Sequence, residues 1–327
     1  MADNATPVAT GRFAPSPTGP LHVGNLRTAV LAWLFARSAG SGFVVRVEDL
    51  DRVASRDELV RVHLADLRAL GLDWDGPVVR QSDRFALYEA ALDRLERSGD
   101  LYPCYCTRKE VAEAVRAPHG PLPEGAYPGT CAALTAAERA AREASGRRAA
   151  LRVRAGGARV EVTDRLAGRS AAHVDDFVVR RNDGVPAYQL AVVVDDADQG
   201  IEEVVRGDDL LPTTHRQVWL AGRLGLSVPA YVHVPLVYGP DGDRLAKRHG
   251  AVTLADLGGS AAVPSLLGAI ARSLGVAAGP GPTSSAAALL TPFRDLLADP
   301  DGLATLRSSS WTFDPGSPAP TAPVDST

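Results

Sequence analysis

Gly11-Arg12-Phe13-Ala14-Pro15-Ser16-Pro17-Thr18-Gly19-Pro20-Leu21-His22-Val23-Gly24-Asn25 is a turn-rich loop that runs into a helix. Pro15, Pro17 and Pro20, interleaved with Ser16, Thr18 and Gly19, keep the backbone stiff and open. Beyond the loop, Leu26, Ala29, Val30, Trp33 and Leu34 recur at i, i+3, i+4, i+7 and i+8, the spacing of one helix face. A loop delivered onto a helix N-terminus holds an anion, because unpaired backbone N–H groups and the helix dipole both point at the ligand. Arg12 and His22 add side-chain donors.

Outward from this block the pattern alternates. Phe43-Val44-Val45-Arg46-Val47 is a largely apolar strand suited to a buried parallel sheet, and it ends in Glu48-Asp49-Leu50-Asp51. Val60, Leu64 and Leu67 mark a helix; Tyr88, Ala91, Leu92 and Leu95 mark another. Strand and helix in alternation predict a right-handed parallel α/β unit. The composition then shifts: residues 102–131 hold all three cysteines and five prolines, and Arg139 to Arg154 is arginine-rich. Regular α/β patterning resumes with Phe177-Val178-Val179, Leu190 to Val194 and Val204-Val205. Tyr231-Val232-His233-Val234-Pro235-Leu236-Val237 reads as one further strand. After Leu257 one helix is evident, on Val263, Leu266, Leu267, Ile270 and Leu274. The remainder, rich in Ala, Pro, Gly and Ser, is expected to fade into a disordered tail.

The chain has 327 residues, 45% of them hydrophobic and 23% charged, which suits a soluble protein with more than one domain. The longest apolar run, Ala29 to Ala36, is too short to cross a membrane. Met1 to Thr6 has neither the basic start nor the apolar core of a secretory signal. Three cysteines, an odd number, argue against a disulfide scaffold. A cytoplasmic, monomeric protein with no membrane partner is expected. A net charge of −4 does not favour strong non-specific nucleic-acid binding. Any RNA contact must come from local patches. Arg139, Arg142, Arg147, Arg148, Arg152 and Arg154 suit phosphate contacts, and suit a solvated face equally well. Of 35 basic residues only Lys109 and Lys247 are lysine. A lysine retained in such a chain is informative, since a flexible point charge is not a planar fork.

The opening block resembles the signature of class I glutamyl-tRNA synthetases. Arg12-Phe13-Ala14-Pro15-Ser16 is similar to their glutamate-binding strand end, and His22-Val23-Gly24-Asn25 to their HIGH motif. Asp243-Arg244-Leu245-Ala246-Lys247-Arg248-His249-Gly250 resembles their KMSKS loop, with Arg244 and Ala246 in place of the usual Lys and Ser. The resemblance covers roughly residues 10 to 255. It implies a Rossmann-like parallel sheet interrupted by a cysteine-containing insertion, with a short helical C-terminus. It also implies ATP as substrate with Mg²⁺, and His22, Gly24 and Lys247 as catalytic residues. ATP would lie on His22, Gly24, Asn25, Arg244, Leu245, Ala246, Lys247 and Arg248, with Lys247 on its phosphates. L-glutamate would be held by Arg12, Phe13, Ala14, Pro15 and Ser16, with Glu48 on its ammonium, Tyr188 lining the pocket and Arg206 on a carboxylate.

Cys104-Tyr105-Cys106 followed by Cys131 suggests one structural zinc, which wants four ligands. By chemistry alone His119 is the natural fourth. Glutamyl-queuosine tRNA(Asp) synthetases, which resemble the catalytic half of a glutamyl-tRNA synthetase, carry Cys-x-Cys and then Tyr-x3-Cys. That spacing recurs here and implies Tyr127. About 70 residues follow the second motif, so no separate anticodon-reading domain is expected. The implied organisation is a disordered 1–9, a first catalytic half at 10–101, a zinc-containing insertion at 102–172, a second catalytic half at 173–257 and a C-terminal part at 258–327. The implied activity is transfer of ATP-activated glutamate to the queuosine base of tRNA(Asp). A minimal glutamyl-tRNA synthetase charging tRNA(Glu), and a non-catalytic RNA-binding module, are the alternatives.

Overall fold

A computed structural model describes residues 10–107, 109–111, 126–243, 245, 252–276, 283–314 and 317–321. The expected disorder of 1–9, the candidate ligand His119, and Arg244, Ala246, Lys247 and Arg248 all lie outside the described residues. The centre is a seven-stranded sheet. Its strands are β1 (Thr10–Phe13), β2 (Gly42–Val47), β3 (Val79–Arg80), β6 (Ala158–Asp164), β7 (Gly168–Val174), β9 (Ile201–Gly207) and β10 (Ala230–Val234), in the order β3-β2-β1-β9-β10-β6-β7. All neighbours are parallel except β6 and β7, which form an antiparallel hairpin. This is the parallel α/β sheet that the alternating pattern predicts.

Helix α1 (Val23–Ser38) follows β1. The apolar spacing predicts one buried stripe, but residues from Val23 to Ala36 are buried on nearly every side. The helix lies between the sheet, through β1 and β9, and the helix Leu290–Ala298. Gly11 permits the close approach, since a Cβ there would lie 3.0 Å from that of Ala36. Helices α2 (Asp57–Ala69) and α3 (Phe85–Arg97) are amphipathic as expected, burying Val60 and Leu67, and Tyr88, Leu92 and Leu95. Among the described residues no helix is long and apolar enough to cross a membrane.

Three expectations are corrected. Residues 231–237 are not one strand. β10 stops at Val234, and β11 (Val237–Tyr238) belongs to a separate sheet with β12 (Trp311–Asp314) and β13 (Ser317–Thr321). Pro235 has no N–H to continue the ladder. The cysteine-rich stretch and the arginine-rich stretch are not one unit ending at 172. β4 (Leu101–Cys104), β5 (Ala150–Val153) and β8 (Val178–Arg180) form a small antiparallel sheet, while residues 158–174 extend the central one. Nor does the chain fade after Leu274. The segments Leu290–Ala298, Gly302–Arg307 and Trp311–Asp314 are ordered, and Phe293, Leu306, Trp311 and Phe313 join the main core. Arg27, fully buried on α1, holds this segment down. It donates to Ser309 O and Oγ (2.6 and 2.8 Å), Pro235 O (2.7 Å) and Ser273 Oγ (3.1 Å). Small polar composition hides four large apolar anchors, each contributing about 1.5–3 kcal/mol on burial.

Candidate active site

The loop after β1 is pinned at four points. Glu48 N–H donates to Pro15 O (3.0 Å), Thr18 N–H to Ser16 O (2.9 Å), Arg56 N–H to Pro17 O (3.1 Å) and His63 Nε2 to Gly19 O (2.8 Å). The loop then delivers His22 as the N-cap of α1. Its ring Nδ1 accepts from Gly24 N–H at 3.1 Å, and Asn25 Oδ1 accepts from His22 N–H at 3.2 Å. His22 and Asn25 thus make a reciprocal capping box. With Nδ1 accepting, the neutral ring carries its proton on Nε2. Gly24 is required, since a Cβ would lie 2.9 Å from His22 Cε1. Of the second signature only Asp243 and Leu245 are described, and the chain just beyond it, at Val252 and Thr253, meets the same helix end. Leu245 N–H donates to Val237 O, Val23 N–H donates to Val252 O, and Thr253 bridges His22.

The C-terminal ends of β1, β2 and β9 converge here, where open parallel sheets bind ligands. A cleft of about 580 Å³ is lined by Arg12, Phe13, Ala14, Pro15, Ser16, His22, Gly24, Asn25, Glu48, Tyr188, Arg206 and Leu245. These are the candidate glutamate- and ATP-binding residues that fall within the described part of the chain. The two arginines sit differently. Arg12 is paired with Asp196 at 3.5 Å. Arg206 Nε donates to His233 Nε2 (3.0 Å) and its Nη2 to Thr214 Oγ1 (2.8 Å), while its buried Nη1 has no hydrogen-bond partner. Burial pulls the Arg206 pKa below the usual arginine value, so an anionic ligand there regains what desolvation cost.

Behind Arg12 lies a buried ion network. Arg46, fully enclosed on β2, pairs with Asp196 (2.8 Å), Glu48 (3.5 Å) and Asp195 (3.6 Å). Asp195 also accepts from Arg84 Nε (2.6 Å), Gln81 Nε2 (2.8 Å) and the Tyr88 hydroxyl. Burial raises the Glu48 pKa against the pull of Arg46 and Arg12. A cation placed beside Glu48 would offset that cost. None of Arg46, Asp195, Asp196, His233, Asp164 and Thr214 stands out in the sequence as a site residue, although Arg46 and His233 fall in the expected strands. Their signal was polarity in apolar context: one arginine within Val-Val-Arg-Val, two aspartates closing an apolar helix, one histidine inside a strand.

A second cavity, about 1320 Å³, shares Ser16, Thr18, Glu48 and Tyr188 with the first. Its far wall carries Cys104, Cys106, Arg147, Arg148, Arg152 and Arg181. Arg147 pairs with Glu110 (2.9 Å) and Arg181 with Asp183 (2.6 Å). Arg148 has no hydrogen bond or ion pair among the described residues. Arg139, Arg142 and Arg154 do not line this cavity; Arg154 stacks on Tyr102 instead. Of the six arginines read as one patch, only three face it.

The three cysteine sulfurs lie within 4.8 Å of one another, Cys106 and Cys131 at 3.5 Å. Zn–S bonds of about 2.3 Å place tetrahedral sulfurs about 3.8 Å apart, so the set fits zinc. The Tyr127 hydroxyl lies 3.4 Å from Cys104 Sγ and 3.8 Å from Cys106 Sγ, and it accepts from Cys131 N–H at 2.8 Å. Burial opposes a Cys131 thiolate, but hydrogen bonds from the Tyr105 backbone, Tyr127 and the other cysteines outweigh it and lower the pKa. Arg152 stacks on Tyr127 at 3.7 Å and donates to Cys104 Sγ at 3.2 Å, tying the cluster to the larger cavity.

Comparison with known proteins follows the same lines. Residues 8–278 match the family of class I tRNA synthetases (E and Q), catalytic domain. The Glutamyl-Q tRNA(Asp) synthetase of Nocardia farcinica is 63% identical over 258 residues, 78% of this chain and 82% of the relative. That of Symbiobacterium thermophilum is 52% identical over 285 residues, 83% of this chain and 88% of the relative. Among solved structures, the glutamate-tRNA synthetase of Elizabethkingia anophelis is similar with a TM-score of 0.72 at 25% identity, over 86% of this chain. The chain spans 65% of that longer protein. A glutamate tRNA ligase from Elizabethkingia meningosepticum, solved with its amino acid, gives 0.71 at 24% identity over 87% of this chain and 64% of its own. Fold, motif placement and relatives agree: the chain belongs to the class I glutamyl/glutaminyl tRNA synthetase family, among its glutamyl-Q tRNA(Asp) synthetases.

Proposed function

We propose that the protein activates L-glutamate with ATP and transfers it to the queuosine base of tRNA(Asp). The observation that carries this is the meeting of two cavities across Glu48 and Tyr188. One has the charge pattern of an amino acid, and the other is larger and walled by arginine. In the first step a glutamate α-carboxylate oxygen attacks the α-phosphorus of ATP. The bond to the β-phosphate breaks, and pyrophosphate leaves with the electron pair. Arg12 and Arg206 bind carboxylates bidentately, and Glu48 takes the ammonium. The His22 Nε2–H and the α1 N-terminus stabilise charge on the phosphates, joined by Lys247. Magnesium, which usually accompanies ATP in this family, would supply further neutralisation of phosphate charge when bound with the nucleotide. In the second step a hydroxyl of the base enters from the larger cavity and attacks the glutamyl carbonyl. AMP leaves, and the hydroxyl proton passes to its phosphate or to water. No protein nucleophile is required; positioning supplies the rate. Cys104, Cys106, Tyr127 and Cys131 would hold a structural zinc that shapes the acceptor wall.

Pyrophosphate exchange with glutamate in the absence of tRNA tests the first step, and nuclease mapping of radiolabelled glutamate on tRNA(Asp) tests the second. Exchange without tRNA and label at the anticodon are expected. Label at the 3′ adenosine would make the protein a minimal glutamyl-tRNA synthetase, and absence of exchange would make it a non-catalytic module.

A further inference from the structure

We propose that His233 is a positioning residue, held by Asp164 as the neutral Nδ1–H tautomer, that aims Arg206 at its carboxylate ligand and releases it on protonation. This rests on the reading that Arg206 binds a glutamate carboxylate.

The tautomer follows from two independent contacts. Asp164, at the end of β6, accepts four hydrogen bonds: from Leu166 N–H (2.8 Å), Ala167 N–H (2.7 Å), His233 N–H (3.0 Å) and His233 Nδ1 (2.7 Å). Four donors require an ionised carboxylate. Burial disfavours that charge, but the His233 and backbone donors outweigh it, and the Asp164 pKa is lowered. With Nδ1 donating, Nε2 of the neutral ring presents a lone pair. Arg206 has donors only, so its Nε, 3.0 Å away, needs that lone pair. Thr214 Oγ1, also 3.1 Å from His233 Nε2, accepts from Arg206 Nη2.

Both held edges of this guanidinium therefore rest on neutral groups. Neither contact neutralises its charge, and the buried Nη1 of this cleft-lining residue has no hydrogen-bond partner. Arg12 differs, since it forms a direct ion pair with Asp196, which acts on Arg206 only from a distance. Protonation of His233 would turn Nε2 into a donor facing a donor, with two cations 3.0 Å apart. The groups facing the imidazole are Asp164 from β6, Arg206 from β9, the Tyr231 ring stacked at 5.9 Å, and Asp208 further off. Burial and then Arg206 depress the His233 pKa below 6.5, against Asp164. The productive form is the neutral one. Glutamate affinity is thus present at neutral pH and lost as pH falls through that depressed pKa.

The test is pyrophosphate exchange from pH 5 to 8 on the whole protein, reading KM for glutamate and for ATP separately. In the unaltered protein, glutamate KM is expected to climb up to about tenfold per pH unit below the His233 pKa, with ATP KM flat over that range. In His233→Gln the acid-side climb should shrink to the part set by Glu48, whose pKa burial raises, whatever the value at pH 7.5. In His233→Leu glutamate KM should rise roughly 10- to 100-fold at every pH, as for a buried charge left without its acceptor. Nitrogen-15 spectra of histidine-labelled unaltered protein should show a protonated Nδ1, a bare Nε2 and a titration at the kinetic limb. That measurement stands even if a variant fails to fold. An unchanged acid limb in His233→Gln, unchanged glutamate KM in folded His233→Leu, or a protonated Nε2 at neutral pH would each overturn the proposal. If Arg206→Ala also leaves glutamate KM unchanged, the glutamate-pocket reading falls with it. If that variant raises KM while the His233 variants do nothing, only the positioning role falls.

Discussion

The two cavities that meet at Glu48 and Tyr188 are built in opposite ways. The smaller is walled and backed by buried charges held by fixed partners. Arg12 leans on Asp196, Arg46 holds three carboxylates, and Arg206 rests on His233 and Thr214. The larger has Arg152 fixed on the cysteine cluster, but its other arginines are held by a surface carboxylate, as for Arg147 and Arg181, or by no partner among the described residues, as for Arg148. Rigid, desolvated charges select a small ligand of fixed pattern, because they undergo no rearrangement as it binds. Solvated arginines suit a polymer that brings its own phosphates, where affinity grows with the number of contacts rather than the accuracy of any one. Different substitutions should therefore fail in different ways on the two sides.

The largest effect is expected at Arg206. Arg206→Ala should lower kcat/KM for glutamate in pyrophosphate exchange by roughly 100- to 1000-fold, the cost of removing one side of a buried charge-assisted contact. A loss below tenfold would place the amino acid elsewhere. Next is Arg46→Met, which leaves Glu48, Asp195 and Asp196 buried without their shared cation. Breaking such a network costs about 3–5 kcal/mol, to be read as a lower urea midpoint with unchanged slope. A midpoint equal to that of the unaltered protein would mean the network is dispensable and the smaller cavity less rigid than its geometry indicates.

On the other side the effects should be smaller and confined to transfer. On the proposed zinc site, treatment with a chelator should slow glutamate transfer to tRNA about tenfold, since Arg152 joins the cysteine cluster to the acceptor wall. Exchange without tRNA should persist, and equal losses in both assays would show that the cavities are one unit. Arg148→Ala should be the mildest change. Without that guanidinium on a phosphate, tRNA binding should weaken a few-fold and its salt dependence flatten by about one ion. A variant with the original salt slope would return Arg148 to the solvated face.

Much of the smaller site was legible in the chain. The β1 loop, the His22 cap, Glu48, Tyr188 and Arg206 all line one cleft, because a parallel sheet forces strand C-terminal ends together. What stood behind them was not legible. Asp196 is 184 positions from Arg12 (196 − 12), and Asp164 is 69 from His233. Neither pair belongs to a local motif, and one polar residue in an apolar strand does not name its partner. The C-terminal segment misled for a related reason. Its Ala, Pro and Ser content suggests disorder, while Phe293 finds its place against Phe35 of α1, and Trp311 and Phe313 find theirs in the same core.

By itself, then, the sequence determined the α/β alternation and the loop that ends as a helix cap, because each depends on neighbours a few positions away. The tertiary structure decided the rest. It paired Arg12 with a carboxylate and Arg206 with a neutral imidazole, and it buried α1 on both sides. It also carried residues 158–174 onto the central sheet. Charge state, tautomer and burial are set by groups distant in the chain, whose proximity exists only once the sheet has formed.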